Sequence, residues 1–178
     1  MQPIFSTGDL LKVTGVLRNT LQSWMHREEF LIASDEVHGG DGSGKHRRFS
    51  LHAVIHFAVG VELINLGLSP VVAFRSAARF AYFGRYAEDN LPRQNRPPAF
   101  PFHYSNGKTL LVIPAGKADR AEVIAIPGES LRLSDVPEVE GGTLAFVAVD
   151  VGKVFSRALH ALGMDPEAEL RAVYGEGA

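Results

Sequence analysis

The 178-residue chain contains no cysteine. Disulfide staples, thiolate zinc sites and cysteine-ligated iron–sulfur clusters are excluded, and thiol-based metal or redox sensing is left without its ligands. No apolar run approaches the ~20 residues of a membrane span. The start, Met1-Gln2-Pro3-Ile4, lacks a basic stretch followed by an apolar one. Neither a membrane segment nor a signal peptide is expected, and cytoplasmic residence is the natural expectation. An excess of positive charge is missing too: 18 Lys and Arg stand against 20 Asp and Glu, a formal net charge of −2. Because non-specific nucleic-acid affinity comes mainly from neutralised phosphates, a histone-like coat of charge is excluded. Any contact with nucleic acid must come from a local basic face. The length suits one domain or two small ones.

What is present begins at Phe5. Ser6 or Thr7 can cap a first helix whose apolar face is Leu10, Leu11 and Val13; Gly15 ends it, and Val16 buries the turn. A second helix then carries Arg18, Asn19, Gln22 and Ser23 outward, with Thr20 at its edge, while Leu21 and Trp24 point inward. This spacing reads as a helix-turn-helix whose exposed helix is rich in groups that pair with base edges and phosphates. An ordinary pair of amphipathic helices in an all-α core is the plain alternative. Next, Phe30-Leu31-Ile32-Ala33 has the pattern of a short strand, and Ser34 to Lys45 is a loop with Gly39, Gly40, Gly42 and Gly44. His46-Arg47-Arg48-Phe49 has the pattern of the returning strand, and Ser50 caps a helix from Leu51. A glycine-rich hairpin with a basic base, placed after a helix-turn-helix, is a wing, which lies along a phosphate backbone or dips into the minor groove. Lys12, Arg18, His26 and Arg27, with Lys45, His46, Arg47 and Arg48, would form one basic face. Acidic residues such as Glu138, Glu140, Glu167, Glu169 and Glu176 collect late in the chain.

The order of these motifs resembles the DNA-binding domain of MerR-family transcription regulators. The residues carrying the resemblance are Phe5-Ser6-Thr7-Gly8-Asp9-Leu10, Thr14-Gly15-Val16, Thr20-Leu21-Gln22-Ser23-Trp24, Phe30-Leu31-Ile32 and Arg47-Arg48-Phe49-Ser50. Leu66-Gly67-Leu68-Ser69-Pro70 is similar to the family's junction before its fourth helix, so the resemblance spans Ile4 to about Arg85. Three features depart from the family pattern. Met25 replaces a glutamate after the recognition-helix aromatic, Lys45-His46 replaces Gly-Tyr, and the wing is longer than usual. The resemblance implies a sequence-specific regulator that binds double-stranded DNA; from their positions on the helices and the wing, Lys12, Arg18, Asn19, Thr20, Gln22, Ser23 and Arg27, with Lys45, His46, Arg47 and Arg48, are the residues expected to touch it. The resemblance further implies a homodimer, with RNA polymerase as a further partner; no residue cluster names a ligand, so no cofactor is expected.

Along the rest of the chain, Leu51 to Leu66 and Ser69-Pro70 to about Tyr86 read as helices. Glu88 to Pro101, with Pro92, Pro97, Pro98 and Pro101, reads as a linker. Phe102-His103-Tyr104 and Thr109 to Ile113 flank Ser105-Asn106-Gly107-Lys108, the pattern of a hairpin. Ala121 to Ile126 and Gly142 to Val149 are further β-rich runs, with a weaker one near Leu131-Arg132-Leu133; Asp150 caps a helix through Leu162, and Asp165-Pro166 starts a last one. The expected architecture is α+β, with a winged helix-turn-helix domain over 1–87, a linker over 88–101 and a small antiparallel-sheet α+β domain over 102–178. Pro92 and the prolines after it leave no room for the long dimerisation helix usual in MerR relatives. The stripe Val154, Phe155, Ala158, Leu159 and Leu162 then either associates with a second copy or packs on its own sheet.

Other motifs carry less. Gly39 to Lys45 nearly fits a phosphate loop, but His46 stands where the Mg²⁺-binding hydroxyl belongs. His52 and His56 are four apart, a spacing compatible with a metal, yet no third ligand follows at a recognisable spacing. Ser105 to Lys108 matches S-x-x-K in the wrong local structure for acyl chemistry. With no acid–base pair, nucleophile or metal set remaining, no enzymatic activity is expected. A ligand-sensing module in the second half and an excisionase-like architectural protein are the alternatives to a transcription regulator.

Overall fold

The computed structural model describes residues 4–26, 36–39, 47–86, 95–115, 118–128 and 145–175. It is an α+β structure in which the described residues form six α-helices and two three-stranded antiparallel sheets. None of these helices is long and apolar enough to cross a membrane.

Strand β1 (Ile4–Ser6) runs directly into helix α1 (Thr7–Thr14). Ser6 Oγ accepts the Asp9 N–H at 3.2 Å, while the Asp9 carboxylate accepts the Ser6 N–H and hydroxyl, each at 2.8 Å. This capping box satisfies orphan donors at the helix start. Gly15 stops α1 at φ 70°, a left-handed conformation that favours glycine, and donates to Leu11 O at 2.8 Å. After the three-residue turn comes α2 (Arg18–His26). Strand β3 (Arg48–Ser50) lies between β1 and β2 (Val37–His38), with Phe49 opposite both Phe5 and Val37. The expected strand at residues 30–33 lies outside the described residues. Besides β1, the described partner of β3 is Val37–His38, within the stretch read as loop; a two-residue strand is too short to show any period.

Ser50 caps α3 (Leu51–Asn65) by accepting the Ala53 N–H at 3.1 Å, and α4 (Pro70–Ala81) begins at its proline. Helix α3 is buried along most of its length, from Ala53 through Val61 and again at Leu63. It has neighbours on several sides: α1, α4 and α5 (Val151–Ala161) all pack on it.

The second sheet has β4 (Lys108–Pro114) between β5 (Glu122–Ile126) and β6 (Phe146–Asp150). Asp150 caps α5 through the Lys153 N–H at 3.0 Å, and Asp165 caps α6 (Pro166–Tyr174) through the Glu167 N–H at 3.0 Å. The hairpin expected around Asn106-Gly107 does not form. Tyr104–Asn106 is instead a 3-10 turn leading into β4, whose partners are β5 and β6. Side chains capture the backbone donors that a hairpin would use: Phe102 N–H donates to Thr109 Oγ1 at 2.8 Å, and Ser105 N–H to His103 Nδ1 at 3.1 Å. Gly107 also has φ 86° and ψ −145°, outside the left-handed helical pair required by an Asn-Gly hairpin turn.

One apolar core runs through both halves of the chain, joining Leu10, Leu21, Phe49, Phe57 and Phe74 to Leu111, Phe155 and Leu159. Of the proline-rich segment read as a linker, residues 95–101 are described and packed: Arg96, Ala99 and Pro101 are buried. Arg96 is 2% exposed and lies over the rings of Phe80 and Phe102. Its guanidinium donates to the carbonyls of Phe80, Pro97 and Phe100 at 3.1–3.2 Å, and to Phe83 O. It thus supplies donors to the carbonyls that the end of α4 leaves without helical partners. Burial pushes its pKa down to about 10, so it stays protonated at neutral pH.

Candidate nucleic-acid interface

Helix α2 divides cleanly by angle. At about 100° per residue, Arg18, Gln22, His26 and Asn19 fall within one arc of roughly a quarter-turn, with Ser23 at its margin. Arg18, Asn19, Gln22 and His26 are exposed, and Thr20 and Ser23 are half-buried. The opposite side is anchored. Leu21 is completely buried, and the half-buried Trp24 meets Phe74 edge-on, with ring centroids 5.5 Å apart. Helix α2 carries no acidic residue.

Lys12 is exposed on α1, and Arg47 and Arg48 are exposed at the start of β3. Arg48 pairs across the sheet with Ser6, the cap of α1. It is thereby brought near Asp9, whose carboxyl is held below its usual pKa, first by the hydrogen bonds from Ser6 and then by the positive charges of Lys12 and Arg48. Lys12 and Arg48 thus gather around one carboxylate. Arg27, Lys45 and His46 lie outside the described residues.

The sequence pattern missed what fastens this region. Glu36, just before β2, accepts a hydrogen bond from Ser50 Oγ, and its other carboxylate oxygen lies 3.3 Å from His52 Nδ1. The one legible signal was the cap at Ser50, which did not point to an acid fourteen residues earlier. His52 and His56 occupy different surroundings. His56 is fully buried between α3 and α4, with Nε2 2.7 Å from Phe74 O and Nδ1 3.3 Å from the Tyr82 hydroxyl. Burial pushes its pKa down to about 4. Among the described residues, no three His, Asp or Glu side chains gather as metal ligands would. Ser105 Oγ lies 2.6 Å from His103 Nδ1, the same imidazole nitrogen that caps the Ser105 N–H.

The candidate self-association stripe is placed inside the chain. Val154, Phe155, Ala158 and Leu159 are buried in its core, and Leu162 is half-buried. Helix α5 packs against α1, α3 and β4, and Arg157 on its outer side pairs with Glu62 of α3.

The sequence matches no protein-family model and no curated protein.

Proposed function

We propose that the chain is a sequence-specific transcription regulator binding double-stranded DNA, with a MerR-like winged helix-turn-helix in its N-terminal half. The observation that carries this reading is the exposed arc of α2, where Arg18, Asn19, Gln22 and His26 face outward without an acid among them. Arginine pairs bidentately with guanine, and asparagine and glutamine pair with adenine. A short helix anchored on one side by Leu21 and Trp24 holds such groups in a fixed register. The turn at Gly15 and the β2–β3 pair leading into α3 agree with a winged arrangement in which Arg47 and Arg48 meet the phosphate backbone. The reading takes the protein to be cytoplasmic. A homodimer on a two-fold operator goes with it, and with Val154, Phe155, Ala158 and Leu159 buried, that dimer would use another surface.

Fluorescence anisotropy tests the proposal, using duplexes selected from a random-sequence pool and scrambled versions of them, at several salt concentrations. The selected duplexes are expected to bind the wild-type chain tightly and with strong salt dependence. Equal, weak binding of both kinds of duplex would overturn the reading.

A further inference from the structure

We infer that Glu36 is a positioning residue for the wing: its carboxylate ties the outgoing strand of the β2–β3 pair to the first turn of α3, and so sets how Arg47 and Arg48 meet a duplex. This rests on the proposed DNA-binding reading and adds a component to it.

The two strands are held very differently. Strand β3 is secured from both sides, paired with β1 and β2, and its Phe49 is completely buried, edge-on to Phe57 of α3 at 6.0 Å. Among the described residues, β2 is a two-residue strand paired on one side, by Val37↔Phe49 and His38↔Arg48. So short a ladder contributes little by itself. Glu36 adds side-chain ties immediately before it. One carboxylate oxygen accepts from Ser50 Oγ, and the other faces His52 Nδ1 at 3.3 Å. The side chain is only 17% exposed, so these contacts are largely screened from water. Ser50 also caps α3 through the Ala53 N–H, so one hydroxyl joins the strand pair, the helix start and the carboxylate.

Electrostatics alone argues against an acid here. A carboxylate on the strand pair that carries Arg48 repels phosphate and lowers non-specific affinity. Removing a carboxylate that served no positioning role would leave DNA binding unchanged or tighter. The clasp demands the opposite sign, and that sign is the test.

Glu36→Ala and Glu36→Gln are compared with Glu62→Gln, which makes the same charge change at an α3 side chain paired with Arg157. Binding is read by anisotropy on a pool-selected duplex and its scrambled version across a salt series. Amide hydrogen exchange is read on the DNA-free chain. Glu36→Ala is expected to weaken both duplexes by about tenfold and to lower the salt slope by about one unit, leaving the ratio between the two duplexes unchanged. Amides of β2 and β3 should exchange faster, while those of α1 and α2 keep their protection. Glu36→Gln, which retains an acceptor for Ser50 and the side-chain shape, should fall between wild type and Glu36→Ala; it carries the same measurements should the alanine variant fail to fold. Glu62→Gln should bind as tightly as wild type or more tightly. The clasp is overturned if both Glu36 variants bind as tightly as wild type with an unchanged slope, if sequence discrimination is what they lose, or if β2–β3 exchange does not change. A wild-type chain that binds neither duplex, with exchange still accelerated in the variants, would sink the DNA-binding reading and leave the clasp standing.

Discussion

His56 and Arg96 show how single buried polar groups are accommodated. His56 is neutral in the folded chain, with its Nε2–H donated to Phe74 O and its Nδ1 accepting from Tyr82. Its folded pKa of about 4 lies below the ordinary value of 6.5, so between those limits the unfolded chain binds more protons. Its contribution is therefore fully present above pH 6.5 and is lost as pH falls through about 4, amounting to about 3 kcal/mol. Urea denaturation at pH 7 and at pH 5 should show about 2 kcal/mol of this loss, and His56→Gln should remove most of the difference. Arg96 is held by backbone carbonyls and lies over the rings of Phe80 and Phe102. Arg96→Ala removes the guanidinium from all of these carbonyls, although Phe80 O keeps the Ala99 N–H and Pro97 O the Phe100 N–H, and should cost about 3 kcal/mol, read as a lowered denaturation midpoint. At Gly107 a Cβ would sit 1.9 Å from Ile126 O, and the φ of 86° is itself unfavourable. Gly107→Ala should force the start of β4 apart from β5 and reduce thermal stability.

At the scale of elements, caps and turns were legible and short pairings were not. Ser6, Ser50, Asp150 and Asp165 each cap the helix that follows them, and Gly15 ends α1 where its residue type suggests. These are local interactions between residues two to four apart, so the residue types announce them. The Asn106-Gly107 hairpin was misread because the same dipeptide serves a 3-10 turn once His103 and Thr109 take the neighbouring donors. Helix α2 supports a prediction about division of labour. On the proposed DNA-binding reading, Arg18→Ala should cost ~1–3 kcal/mol on the selected duplex and relax discrimination at one base pair. Arg47→Ala or Arg48→Ala should weaken all duplexes alike and lower the salt slope by about one unit. Anisotropy on the same duplex set measures both, and identical behaviour of the α2 and β3 variants would refute the division.

At the scale of the molecule, both halves share one core. Helix α5 places Phe155 and Leu159 among residues from α1 and α3, and Arg157 reaches Glu62. A chain ending at residue 86 would expose this face. It should therefore unfold with low cooperativity or aggregate, and calorimetry together with light scattering on that truncation would check it. The composition could not announce this. A proline-rich stretch between a helical half and a strand-rich half looks like a boundary, and an apolar stripe on α5 fits a partner as well as it fits its own chain.

The sequence by itself determined the α+β class, most helix starts, the turn at Gly15 and the polar arc of α2, because caps, turns and helical periodicity act over a few neighbouring residues. Only the tertiary structure decided that Val154, Phe155, Ala158 and Leu159 face inward, that Arg96 lies under the end of α4, that His52 and His56 part company, and that Glu36 meets Ser50. Those outcomes depend on which distant segments meet and on how much water they exclude, and no local pattern of residues encodes either.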